Sequence, residues 1–318
     1  MDIKRLISVV IPVYNEEQNI RILYNEVTQA LSGLPNLYEI LFIDDGSSDG
    51  STTVLKEIAK NDKKVKLIVL KRNYGQTAAL SAGIEISKGE LIITMDADLQ
   101  NDPKDITLLV DKINEGYDLV SGWRKDRKDY FFNRRLPSLI ANYLISKITG
   151  LKLKDYGCSL KVYKREFLKN INLYGEMHRF ISVYVYSMGG KIAEIEVNHR
   201  KRQYGVSKYG IGRTSKVILD LITVKFLFGN YSTSPLYFFG KWSFLSILTG
   251  VICGVVTLVE KIIGGYWVHK NPLILVSIFF ILIGTQVIFI GLLAEMNMRI
   301  YYETTKKSTY LVEDKVNC

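Results

Sequence analysis

Three cysteines, Cys158, Cys253 and Cys318, are too few and too far apart in this 318-residue chain for a disulfide framework or a zinc cluster. A signal peptide is not expected either. Met1-Asp2-Ile3-Lys4-Arg5-Leu6 runs straight into a strand-like segment, so roughly the first 230 residues are expected to stay in the cytosol. Charge is absent from Trp242 to Val259 and again from Asn271 to Ala294. Each stretch can cross a hydrocarbon layer of roughly 30 Å as a helix, and neither has the polar face of a soluble-domain helix. The intervening loop, Glu260 to Lys270, has little positive bias, whereas Lys306, Lys307 and Lys315 follow the second stretch. That asymmetry predicts a hairpin returning the chain to the cytosolic side.

No short repeat and no nucleic-acid-binding module is recognisable, although the chain is basic. The net charge of +10 is concentrated between Gly122 and Lys216, where 21 Lys and Arg face 7 Asp and Glu, a net of +14 that leaves −4 elsewhere. A basic segment just before membrane spans points to anionic headgroups or a phosphate-bearing substrate, not to nucleic acid.

The first hundred residues alternate strand and helix patterns. Strands are predicted at Leu6–Pro12, Tyr38–Asp44, Lys66–Leu70 and Leu91–Met95, and helices at Glu16–Ser32, Ser51–Asn61 and Gln76–Ser87. Such alternation implies right-handed crossovers, a mostly parallel sheet and an α/β fold. Ligands of open α/β sheets sit outside the carboxyl ends of the strands, and four polar loops are expected there. They are Pro12-Val13-Tyr14-Asn15-Glu16-Glu17, with Asn15 a candidate helix cap; Asp44-Asp45-Gly46-Ser47-Ser48-Asp49-Gly50; Lys71-Arg72-Asn73-Tyr74-Gly75-Gln76; and the loop after Met95. In the last, Asp96 and Asp98 followed by Gln100 offer hard oxygen ligands for Mg²⁺ or Mn²⁺, with positions left for water and a diphosphate. Taken alone, the pair reads equally well as a solvated turn.

Together these segments resemble the family 2 glycosyltransferases of GT-A (Rossmann-like) fold, and more narrowly the polyprenyl-phosphate glycosyltransferases, the group of dolichyl-phosphate mannose synthase and the bacterial undecaprenyl-phosphate glucosyltransferases. The resemblance extends over essentially the whole chain, because bacterial members also end in two spans. It implies that Pro12, Tyr14, Glu16 and Asp45, with Asp44 beside them, hold the donor nucleotide, and that Asp96, Asp98 and Gln100 hold the metal and diphosphate. Arg124, Arg134 and Ser138 match positions that grip the lipid phosphate, as do Arg202, Ser207 and Lys208 in Arg200-Lys201-Arg202-Gln203-Tyr204-Gly205-Val206-Ser207-Lys208. Guanidinium groups suit that task because they bind phosphate bidentately and stay charged. A solvated basic loop is the alternative for the second motif. Leu136 to Ile148 reads as an interfacial helix with its apolar face toward lipid, or as a core-facing helix of the domain.

Two positions depart from the family pattern. Several relatives carry an acid near Cys158, considered as a base, whereas here the nearest acid is Asp155; and Ser215 stands where relatives tend to have a large apolar residue. The expected organisation is a catalytic domain over 1–210, a juxtamembrane amphipathic helix over 211–234, a transmembrane hairpin over 235–300 and a cytosolic tail over 301–318. The resemblance implies an integral inner-membrane protein, with its catalytic domain in the cytoplasm, that assembles as a homotetramer. It would transfer a single sugar, with inversion, from a nucleotide sugar to a polyprenyl phosphate, and Asp98, Asp155 and Arg124 would carry the chemistry. UDP-glucose and undecaprenyl phosphate are the expected substrates, with GDP-mannose or UDP-GlcNAc as alternative donors. A processive synthase is less favoured, because no Gln-x-x-Arg-Trp motif occurs. A catalytically silent scaffold is disfavoured by the intact Asp96, Asp98 and Gln100.

Overall fold

The computed structural model describes residues 5–125, 142–143, 145–147, 149–169, 171, 173, 177–204, 235–264, 267–304 and 310–318. The chain divides into two compact units, Met1–Lys225 with Ser308–Cys318, and Phe226–Lys307.

The first unit is built on one sheet. β1 (Leu6–Val13), β2 (Leu37–Asp44), β3 (Val65–Leu70) and β4 (Leu91–Thr94) alternate with α1 (Glu17–Ser32), α2 (Ser51–Asn61) and α3 (Gln76–Ile86). Then come α4 (Asp105–Asn114), β5 (Leu119–Trp123), β6 (Lys161–Lys164), α5 (Arg165–Leu168), a 3₁₀ turn at Met177–Phe180, α6 (Ile181–Ser187) and β7 (Ile192–Glu196). The final strand is β8 (Val312–Val316), and the sheet order is β7-β5-β6-β4-β1-β2-β3-β8. β1 pairs in parallel with β2 and β4, and β2 with β3; β6 and β8 run against their neighbours. Leu-Ile-Ile-Thr in β4 and Val-Lys-Leu-Ile-Val-Leu in β3 are buried throughout, as expected for strands covered on both faces. α1 turns Ile20, Leu23, Val27 and Leu31 to the sheet at helical spacing.

The strands and helices expected from the pattern are present, with ends displaced by a residue at most. Two expectations change. Asn15 does not cap α1, which starts at Glu17 without a side-chain cap. The tail does not stand apart from the domain: its last residues form β8, antiparallel to β3 from Leu67↔Val316 to Leu70↔Val312, and Asn317 Nδ2 donates to the Val65 carbonyl at 2.9 Å.

The second unit contains α7 (Pro235–Gly264) and α8 (Pro272–Thr304). Within them Phe239–Gly264 and Pro272–Ala294 are long and apolar enough to cross a membrane. The helices meet through small residues. Ser243 Oγ donates to the Gly284 carbonyl and Ser277 Oγ to the Gly250 carbonyl, both at 2.7 Å. A Cβ on Gly250 or Gly284 would lie 2.7 Å or 2.5 Å from an isoleucine side chain of the facing helix. Outward residues such as Ile252, Leu275, Phe279 and Phe289 are exposed and apolar, as in a lipid-facing surface.

Candidate functional site

The carboxyl ends of β1 to β4 gather the four loops, and hydrogen bonds to the backbone hold them together. Asn15 sits at φ +52°, donates its N–H to Ser47 Oγ at 2.9 Å and accepts from Ser48 N–H at 2.7 Å. Glu16 N–H reaches Ser51 Oγ at 3.0 Å. Asp44, fully buried, accepts from Ser47 N–H at 2.9 Å and from the Thr52 hydroxyl. Asp45 accepts from Tyr74 and Gly75 N–H at 2.7 and 2.8 Å, and burial nevertheless pushes its pKa up. Gly46, which follows them at φ +67°, lies against the third loop so closely that a Cβ would come within 2.4 Å of the Arg72 backbone. Asp44 and Asp45 therefore hold the second and third loops in shape, while Pro12 and Tyr14 remain partly exposed beside them.

The fourth loop presents the acid pair. Asp96 accepts from the Gln76 side-chain amide at 2.7 Å. Asp98 accepts from Gln100 N–H at 3.1 Å, and Leu99 between them is held at φ +60°, a strained backbone of the kind that collects at functional sites. Burial and then the Asp98 charge push the Asp96 pKa up to about 6, against a Ser159 hydrogen bond and the charges of Arg124 and Arg202. Two acids that repel each other in this way form a cation-seeking site. Among the described residues no third acid, histidine or cysteine joins them. That donor set fits a divalent ion completed by phosphate oxygens and water.

Arginines approach from the other side. Arg124, following β5, grips the buried Asp155 carboxylate with Nε at 2.7 Å and Nη2 at 3.0 Å. Burial disfavours its charge, but Asp155 raises the Arg124 pKa overall. Asp155 is in turn held by Glu194, which accepts its N–H at 2.9 Å. Asp155 is thus the anchor of Arg124, and action as a base would require that pair to open. Burial pushes the Cys158 thiol up to about 11.

Of the motif at 200–210 the described residues are 200–204, where Lys201, Gln203 and Tyr204 are exposed and the two arginines are tied to acids. Arg200 contacts Asp102 at 2.6 Å and Glu26 at 2.7 Å, and its N–H donates to the Gln100 carbonyl at 2.8 Å. Arg202, expected on an acceptor phosphate, lies 2.6 Å from Asp98 and 3.6 Å from Glu16.

Arg134, Ser138, Ser207, Lys208 and Ser215, with the juxtamembrane helix expected over 211–234, lie outside the described residues. Of the segment 136–148, where an interfacial or core-facing helix is expected, the described residues include a buried Ile145 and an exposed Tyr143.

Sequence reasoning assigned no role to Gln76 or Glu194. Gln76 had a signal, since it closes the third loop motif at the same sheet edge; Glu194 is one of several acids on an ordinary strand and had none. A cavity of about 530 Å³ beside the second loop is lined by Ser47, Thr52, Lys56, Lys71 and the tail acids Glu313 and Asp314. It contains none of the Asp96–Asp98 residues.

A family model described as glycosyl transferase family 2 matches residues 8–171. The dodecaprenyl-phosphate galacturonate synthase of Rhizobium johnstonii is 43% identical over 96% of this chain and 91% of its own. An undecaprenyl-phosphate 4-deoxy-4-formamido-L-arabinose transferase of Aeromonas hydrophila is 38% identical over 99% and 95%. Among solved structures, glucosyl-3-phosphoglycerate synthase of Mycobacterium tuberculosis, in complex with Mn²⁺ and UDP-glucose, superposes with a TM-score of 0.55 at 19% identity, over 70% of this chain and 79% of that one. Mannosyl-3-phosphoglycerate synthase of Rubrobacter xylanophilus gives 0.57 at 16% identity, over 70% and 74%. The two solved structures share the fold, and the first two relatives share nearly the whole chain: this protein belongs to glycosyl transferase family 2, among its polyprenyl-phosphate glycosyltransferases.

Proposed function

We propose that the chain transfers one sugar from a UDP-sugar to the phosphate of a polyprenyl phosphate at the cytosolic membrane face, with inversion. The observation that carries this reading is the meeting of the Asp96–Asp98 pair with two arginine-bearing segments at one sheet edge. Asp96 and Asp98, with Gln100, would hold a Mg²⁺ or Mn²⁺ ion, which when bound offsets charge developing on the leaving diphosphate. The Mn²⁺ and UDP-glucose held by the glucosyl-3-phosphoglycerate synthase, which has the same fold, support that assignment. Pro12, Tyr14 and Glu16, on loops braced by Asp44 and Asp45, would seat the nucleotide.

Arg124 orients the acceptor, since Asp155 fixes its guanidinium bidentately. A phosphate oxygen of the acceptor bonds to the anomeric carbon as the bond from that carbon to UDP breaks, through an oxocarbenium-like transition state. The acceptor phosphate, with a second pKa of about 6, is already largely dianionic at neutral pH. No strong base is required, in keeping with an Asp155 committed to Arg124.

The galacturonate synthase and the formamido-arabinose transferase favour galacturonate or a 4-formamido-pentose as the sugar, ahead of glucose. The expected result is UDP release that depends on undecaprenyl phosphate, fastest with UDP-galacturonate or UDP-4-deoxy-4-formamido-L-arabinose when these are compared with UDP-glucose, UDP-GlcNAc and GDP-mannose. A product of retained configuration, or no lipid-dependent release with any donor, would sink the reading.

The tail supports a hairpin topology. The chain leaves the sheet, passes through two apolar helices and re-enters the same sheet as β8, which an even number of crossings permits. Labelling Cys318 with a membrane-impermeant maleimide in sealed vesicles should succeed only when the cytosolic face is accessible. Tetrameric assembly, implied by resemblance alone, is checked by the mass of the detergent-purified protein.

A further inference from the structure

Arg202 answers to two sides of the site at once. Its Nη2 lies 2.6 Å from Asp98 Oδ2 and its Nη1 lies 3.6 Å from Glu16 Oε1. Asp98 Oδ1 is engaged by the Gln100 N–H, so Arg202 holds the carboxylate oxygen that a divalent cation would most readily take. In the functional reading above, on which this inference rests, the two arginine-bearing segments meet the acceptor's phosphate, and Arg202 is the residue of the second that stands at the acid pair. The guanidinium edge that Nη1 and Nη2 turn to Glu16 and Asp98 cannot face a phosphate at the same time.

We infer that Arg202 and the divalent cation compete for Asp98, so that loading of the metal–nucleotide releases Arg202 to the lipid phosphate and imposes an order, donor before acceptor. The charges favour that order. A phosphate dianion approaching Arg202 before the donor is bound meets the carboxylates of Asp98 and Glu16, and that of Asp96 close behind. Once a dication is bound, that acidity is offset, and the cation repels the guanidinium toward the incoming phosphate. The exchange requires little backbone movement, because Arg200 pins the segment to Asp102, Glu26 and the Gln100 carbonyl. Arg202 can swing while its neighbour stays fixed.

Two measurements on the full-length protein in detergent decide the matter. The first is Mn²⁺ binding without nucleotide or lipid, followed by electron paramagnetic resonance. Arg202→Gln should bind Mn²⁺ about tenfold more tightly than the wild type, and Arg202→Lys should fall between. Unchanged or weaker binding by an Arg202→Gln protein that melts like the wild type would overturn the competition. The second uses the wild type alone, and so decides even if Arg202→Gln fails to fold. Undecaprenyl phosphate should bind saturably with Mn²⁺ and UDP present and at least tenfold more weakly without them; equal binding in both states overturns the order. Binding in neither state would instead refute the acceptor reading, and the order with it, while the Mn²⁺ titration still tests the competition.

Discussion

The loops proposed to seat the donor and the arginine-bearing segments face the same sheet edge, yet they are held by different forces. On the donor side, side chains grip backbone: Asp45 holds Tyr74 and Gly75, Asp44 holds Ser47, and Asn15 holds Ser48. On the arginine side, charge grips charge, through Arg124–Asp155, Arg200–Asp102 and Arg202–Asp98. Backbone-gripping contacts fix a loop's shape whatever else is bound, which suits the seating of a nucleotide. Ion pairs can be exchanged for another ion of the same sign, as the proposed admission of a dication and then a phosphate would require.

The largest expected effect falls where the two regions touch. Asp98→Asn removes one of the two carboxylates from the metal pair and one partner from Arg202. Turnover should drop on the order of 10³-fold, the scale seen when a preorganised charge-stabilising group is lost. Melting should shift little, because the loop retains the Asp96–Gln76 contact. A variant keeping a tenth of wild-type turnover would mean that the pair does not hold the metal.

Next comes the charge-on-charge region by itself. Asp155→Asn leaves the Arg124 guanidinium largely buried opposite a neutral partner, and breaking such a pair costs about 3 kcal/mol of stability. The double variant Arg124→Met, Asp155→Leu should recover most of that stability while leaving acceptor-dependent turnover abolished. Recovery of turnover as well would show that neither charge touches the acceptor. The donor region should respond differently. Asp45→Asn weakens the hold on two N–H groups and should cost about 2 kcal/mol. UDP affinity should fall about tenfold, with lipid affinity unchanged in titrations of each ligand.

The same contrast explains what the sequence made legible. β1 to β4 and their helices could be read from β-branched runs and helical spacing, and the polar loops followed from where parallel strands end. Backbone-gripping residues such as Asp45 lie in loop motifs with recognisable composition. Arg124–Asp155 joins positions 31 apart in sequence and Arg202–Asp98 positions 104 apart. No periodicity marks such partners. Resemblance supplied Arg202 as a phosphate ligand but could not show which carboxylates it contacts. β8 was missed for a related reason: five residues, Val312 to Val316, become a strand only because the edge of β3 is there to receive them.

The smallest effect tests whether the charge-held region alone responds to alkaline pH. Lys161, fully buried in β6, donates to the Tyr156 carbonyl at 3.1 Å and to Ser182 Oγ at 3.2 Å, beneath the segment that carries Asp155. Burial pulls its pKa down to about 8. The folded chain therefore releases this proton near pH 8, and the unfolded chain keeps it until about pH 10.4, the ordinary lysine value. Between those limits the unfolded state binds more protons, so stability must rise with pH. The gain attributable to Lys161 between pH 7 and 9 is about 1 kcal/mol. Lys161→Met removes it: the difference in unfolding free energy between wild type and variant should move by that amount in favour of the wild type as pH is raised. Amide exchange should show the change around residues 153–162 and not in the loops at 44–50 or 71–76. An equal change in both places, or none in either, would mean that the two regions open as one and that the division between backbone-held and charge-held parts has no energetic counterpart.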